Sequence, residues 1–191
     1  MDTYQRIAEL TAHLKIVPKD YESAKELCAL ALGLLDPHKP MGTELFNAVA
    51  RVTVTVALET VAVREIDGEI CVYLTKRSSA EAYPNQWHSP GSALRPGEKI
   101  SNVFGRLAVR EFQVPIVVGQ FIDNNNGVGE ERGHFFTPIY LVELAGEPQN
   151  PRGDWFPIDN LPEKTVKHHR EVVIPTAVAA YRRKQLLPSS F

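Results

Sequence analysis

The run PNQWHSPGSALRPGEKISNVFGRLAVREFQV, Pro84 to Val114, decides how the rest of the chain is read. It opens with a Gly- and Pro-rich turn, Gln86-Trp87-His88-Ser89-Pro90-Gly91-Ser92. It then passes through Pro96-Gly97-Glu98 and continues as a charged amphipathic helix. Positions 107, 110 and 111 stand at i, i+3 and i+4, so one face of an α-helix presents all three to the same point in space. They are Leu107, Arg110 and Glu111, one apolar group beside one guanidinium and one carboxylate.

Outward from this run the periodicities change. From Arg51 the period is two, with Val52, Val54, Val56 and Leu58 on one face and Thr53 and Thr55 on the other. Asp67-Gly68 makes a hairpin turn into Ile70, Val72 and Leu74. Downstream, residues 114–122 and 135–144 read as strands joined by a long polar loop, residues 123–133. Residues 155–161 read as irregular. Residues 162–184 read as a closing helix in which Pro175 marks a kink or a new start. Upstream, residues 1–50 read as helical: Ile7, Leu10 and Leu14 form one stripe, Asp20 caps a second helix, and a third runs from Thr43 to Ala50. The second helix is apolar on nearly every side from Ala29 to Leu35, so it needs a cover. This order of elements predicts an α/β/α sandwich around a mixed sheet, residues 51–191, behind an N-terminal helical extension, residues 1–50.

The central run resembles the signature of the Nudix hydrolase family, GX5EX7REUXEEXGU with U a bulky aliphatic. Laid on without a gap, it sets Ser92 at the first Gly, Glu98 at the first Glu, Arg106 at the Arg and Leu107 at the neighbouring Glu. Arg110 and Glu111 take the paired Glu, Gln113 the last Gly and Val114 the last U. Glu98, Arg106, Glu111 and Val114 match; Trp87 and Pro90 match the frequent Trp-x-x-Pro-Gly approach. The resemblance covers roughly residues 51–186 and implies the fold just described. A second register, with a four-residue insertion, would set Val114 and Pro115 at the paired Glu, which is chemically worse.

Family members typically cleave a nucleoside diphosphate linked to another group, with Mg²⁺ or Mn²⁺ held by glutamates on that helix. The resemblance thus implies a metal side formed by Glu111 and Glu98, with Glu130 and Glu131 in the polar loop, and a catalytic set of Glu98, Arg106 and Glu111. The departures weaken that expectation. A guanidinium about 4 Å from a dication is repelled by several kcal/mol even at an effective dielectric near 20. Arg110 can instead grip a phosphate by a two-pronged hydrogen bond, with His88 and Arg95 on the same substrate-binding side. Three readings follow. One is a divergent hydrolase of a diphosphate-containing small molecule with a weakened metal site. Another is a catalytically silent ligand-binding or regulatory module. In the third, Arg110 and Glu111 are merely a solvated surface pair.

In the turn, Ser92 stands where the family uses a residue free to take positive φ, and Gly91 is expected to take over that role. His168 and His169 read as a basic, solvated helix start. Cys28 and Cys71 lack metal-ligand spacing and read as buried free thiols in a reducing compartment. A formal charge of −2 is too balanced for a nucleic-acid face across the whole molecule. With no signal peptide and no run of about 18 apolar residues, the expectation is a cytoplasmic, membrane-free protein. Its partner is a small phosphorylated molecule, and residues 1–50 are available for a homodimer contact. No GXSXG elbow supports a serine nucleophile, and no Lys-Ser/Thr pair makes the glycines of the loop a P-loop.

Overall fold

The computed structural model describes residues 20–130 and 132–186. The Ile7, Leu10, Leu14 stripe and Glu131 lie outside them. The chain divides into two compact units, residues 1–39 and 40–191.

In the first unit, helix α1 (Tyr21–Gly33) is capped as its sequence requires: the Asp20 carboxylate accepts hydrogen bonds from Ser23 N (2.8 Å) and Ser23 Oγ (2.9 Å). Leu30, Leu32, Leu34 and Leu35 are exposed, and so is Cys28, contrary to the burial expected of them. Cys71, in the sheet, is buried.

The second unit starts at Pro40, so helix α2 (Gly42–Ala50) belongs to it. Phe46 of α2 packs its ring 6.4 Å from Phe135, and the Arg132 guanidinium lies over Phe46. Residues 51–53 form a turn, and the first strand begins three residues later than the alternation suggested. The strands are β1 (Val54–Ile66), β2 (Glu69–Lys76), β3 (Trp87–His88), β4 (Gly91–Ala93), β5 (Ile116–Glu130), β6 (Gly133–Leu144) and β7 (Gly153–Pro157). They form one mixed sheet along the path β3-β2-β1-β6-β5, with β4 on β1 and β7 on β2. Among the pairs of described strands only β1 and β6 run parallel. Asp67 (φ 50°) and Gly68 (φ 83°) both take positive φ and turn β1 into β2, with Ile66 opposite Glu69.

Two stretches differ from the sequence expectation. Residues 123–130, expected in a loop, continue β5: it pairs with β6 from Ile116↔Leu144 out to Glu130↔Gly133, with register shifts at Ile116/Val118, Phe121/Asp123 and Gly127/Glu130. Backbone pairing across the hairpin satisfies its Asn and Gly residues, so polarity alone misread it. Trp155 lies in β7, paired with Tyr73.

The parity of the central strands builds two cores. Val61, Val72, Leu74, Ile139 and Leu141 face helix α4 (Ile174–Leu186) through Ile174, Ala177 and Val178. Their neighbours Leu58, Ala62, Tyr73, Tyr140 and Val142 face helix α3 (Ile100–Leu107) through Val103 and Leu107. A sheet covered on both faces explains why residues 71–75 are buried without interruption. Helices α3 and α4 each abut a π turn: Ala108–Phe112 extends α3 and His169–Val173 precedes α4. The second turn absorbs Pro175, whose ring cannot continue the ordinary α ladder.

Candidate functional site

From the last turn of α3, Arg106 reaches back and ties the preceding turn to the helix. Its Nε and Nη2 donate to the two oxygens of Glu98 (2.7 and 2.8 Å), its Nη1 to Ser92 Oγ (2.7 Å) and its Nη2 also to Ala93 O (3.0 Å). Glu98 further accepts from Arg95 N at 3.0 Å. The hydrogen bonds from Arg106 hold the Glu98 carboxyl below the usual range. Arg95 contributes its backbone here; its side chain is half-buried.

Ser92 does not take positive φ, and neither does Gly91: both lie in β4, opposite Leu58 and Glu59. Gly91 is required for another reason. A Cβ there would stand 2.3 Å from Glu59 Oε2. Within the motif, positive φ falls instead to Gly97 (φ 72°) and to Gln113, at φ 57° and ψ 25°, where it ends the helix.

Leu107, Arg110 and Glu111 do not share one exposed face. The wider π turn carries the last two around the axis, and the three fates diverge. Leu107 is sealed in the core, Arg110 stays 54% exposed, and the Glu111 side chain is 7% exposed. Glu111 is therefore not half of a solvated surface pair. Its Oε2 accepts from Thr75 Oγ1 (3.0 Å), and its Oε1 lies 3.3 Å from Arg110 Nη2. Asn150 Nδ2 donates to the Glu111 carbonyl at 2.9 Å, which satisfies a backbone acceptor at the helix end.

A buried polar chain continues from Thr75. Because its hydroxyl donates to Glu111, it accepts from His88 Nε2 at 3.2 Å, which leaves His88 Nδ1 facing Arg77 Nη2 at 3.5 Å. His88, expected at the rim of the cleft, is 5% exposed. His169, expected in solvent, is 3% exposed. Its Nδ1 accepts from Ser89 N (3.1 Å), so the neutral ring turns Nε2–H toward Glu59 Oε1, 3.8 Å away. Burial, then the Arg77 charge, holds His88 well below the ordinary 6.5. His169 is held there by burial, then by His88 and Arg77. Burial raises the Glu59 carboxyl to about 8; Arg77 opposes this, while Glu130 and Glu111 reinforce it. Glu59 Oε2, Ser89 Oγ and Arg77 Nε are buried without a hydrogen-bond partner.

The described candidate carboxylates are engaged with other groups and are not gathered around a place for the divalent ion that the resemblance implies. Among the described residues no group of three His, Cys, Asp or Glu side chains converges as a metal cage. Glu98 is committed to Arg106, Glu111 to Thr75 and Arg110, and Glu130 ends the β5–β6 hairpin. Sequence reasoning missed Glu59, Thr75, Arg77 and His169. The available signal was a carboxylate inside the apolar strand Val56-Ala57-Leu58-Glu59-Thr60-Val61.

No protein-family model and no curated protein sequence matches the chain. Solved structures do. A MutT Nudix hydrolase from Burkholderia pseudomallei superposes with a TM-score of 0.52 at 23% identity, over 62% of this chain and 94% of that one. The chain has the Nudix fold. A mutT/nudix family protein from Listeria innocua superposes with a TM-score of 0.56 at 17% identity, over 71% of this chain and 99% of that one. The Nudix domain of Shewanella oneidensis NrtR, solved with ADP ribose, gives 0.56 at 18%, over 82% of this chain and 97% of that one. Among the described residues no helix of this Nudix-fold chain is long and apolar enough to cross a membrane.

Proposed function

We propose that this Nudix-fold chain binds a small phosphorylated molecule, of the diphosphate-bridged kind, through arginine side chains, and does so as a catalytically silent module. The observation that carries the reading is the engagement of Glu111. The carboxylate best placed to hold a cation already faces a guanidinium and a hydroxyl. Arg77, Arg152 and Arg110 all act on buried His88, so cationic groups stand close to the Glu111 carboxylate. Arg110 is exposed enough to meet a ligand, and its planar fork suits two phosphate oxygens.

The ADP ribose bound by the NrtR Nudix domain supplies the probe, since its two phosphates bridge two sugars. ADP-ribose is expected to raise the melting temperature equally with and without Mg²⁺. The change Arg110→Ala should weaken binding about tenfold or more. No stabilisation by ADP-ribose or by other diphosphate-bridged nucleotides would overturn the binding reading.

The second reading is a divergent hydrolase with a weakened Mg²⁺ or Mn²⁺ site. The retained Glu98–Arg106 brace favours it, as does the carboxylate of Glu111 at a position the resemblance assigns to metal binding. Mn²⁺-dependent release of AMP from ADP-ribose, abolished by Glu111→Gln, would establish that reading in place of the first.

A further inference from the structure

The sheet ends at β5, whose outer side has no strand partner among the described residues. Five consecutive residues there, Val117-Val118-Gly119-Gln120-Phe121, are exposed, with Val117 at 60% and Phe121 at 53%. Edge strands are commonly protected by lysine, proline or inward-facing charge. None of these falls between Ile116 and Ile122, where every residue is uncharged. The segment pairs regularly with β6 from Val118↔Glu143 to Phe121↔Tyr140, with register shifts on either side, so its middle is straight and available.

We infer that this edge pairs with the same edge of a second copy of the chain, antiparallel about a two-fold axis at Gly119, to make one sheet continuous across a homodimer. The occupant is argued from three features. An edge strand can be completed only by another extended backbone, and an isologous contact supplies one of identical character. Pairing about Gly119 sets Val117 opposite Phe121 twice and Val118 opposite Gln120 twice, so each end gains an aromatic against a β-branched side chain. It also sets Asp123 opposite Pro115, so no like charges meet. The aromatic run across the molecule points the same way. Phe104 packs 5.1 Å from Tyr140 and Tyr140 5.7 Å from Phe121, which leaves Phe121 as the outermost, half-exposed ring of a series that a second copy would cover. Gly119 lets the strand sit this close, since a Cβ there would lie 2.3 Å from the Phe104 ring.

A contact of this size belongs to the weak, reversible class. Sedimentation velocity of the full chain from micromolar to millimolar concentration should show a monomer–dimer equilibrium. Phe121→Lys should weaken it at least tenfold while circular dichroism shows the chain still folded, because the side chain is half-exposed. In a Cys28→Ser background, the double variant Val118→Cys with Gln120→Cys should be trapped as a disulfide dimer on mild oxidation. A monomer at every concentration overturns the inference, as does a dimer indifferent to Phe121→Lys, for instance one held by residues 1–50. A dimer lost in Phe121→Lys yet never trapped overturns the axis at Gly119.

Discussion

At Gln113 the chain puts a side chain where its fold wants none. The residue ends the helix in the left-handed region, which penalises a Cβ by about 1–2 kcal/mol, partly offset by the greater chain entropy of glycine. The change Gln113→Gly should therefore stabilise the protein by up to about 1 kcal/mol in urea unfolding. Glu59 is a second residue-scale departure, a carboxyl sealed between β4 and His169. The sequence displays such a residue plainly, as one acid in an apolar strand, yet not its partner. His169 lies 110 positions away and meets Glu59 only after β1 and the turn before α4 have folded together.

At the scale of elements, Arg106 carries the join between turn and helix. Replacing its planar fork by a single ammonium in Arg106→Lys breaks the paired contact with Glu98 and drops Ser92 Oγ or Ala93 O. The expected loss is about 1–3 kcal/mol, measured by thermal unfolding, with ADP-ribose affinity falling alongside it. This brace was legible in the sequence because it is local, its two residues eight apart and spanning one short helix. The strands β1, β2 and β6 and the cap at Asp20 were legible for the same reason, being written in periodicity and turn chemistry. The π turns were not. Spacing of three and four residues presumes an unbroken α ladder, and Ala108–Phe112 departs from it. The far end of the β5–β6 hairpin was hidden similarly, since its pairing overrides the low strand preference of Asn and Gly.

For the whole molecule, the buried groups set a stability optimum. Glu59 has its folded pKa raised to about 8 from 4.5, so it favours folding when protonated, and that contribution fades as pH rises from 4.5 through 8. His88 and His169 are depressed below 6.5; unfolding lets them bind protons, so stability falls as pH drops below 6.5. Between 4.5 and 6.5 two histidines oppose one carboxyl and prevail, which puts the maximum melting temperature near pH 6.5. Glu59→Gln should flatten the decline from 6.5 to 8 while leaving the acid side steep, as read by calorimetry across that range.

The parallel pairing of β1 with β6 also sets a timetable. Val54 must find His134, so the centre of the sheet stays open until the growing polypeptide has delivered its sixth strand from the ribosome. Until then the β1–β2 hairpin, closed by Asp67-Gly68, can form alone, with one side of β1 bare. Assembly is thus a late, long-range event, and synthesis halted before β6 would leave a nascent chain whose central strand is open to the wrong neighbour.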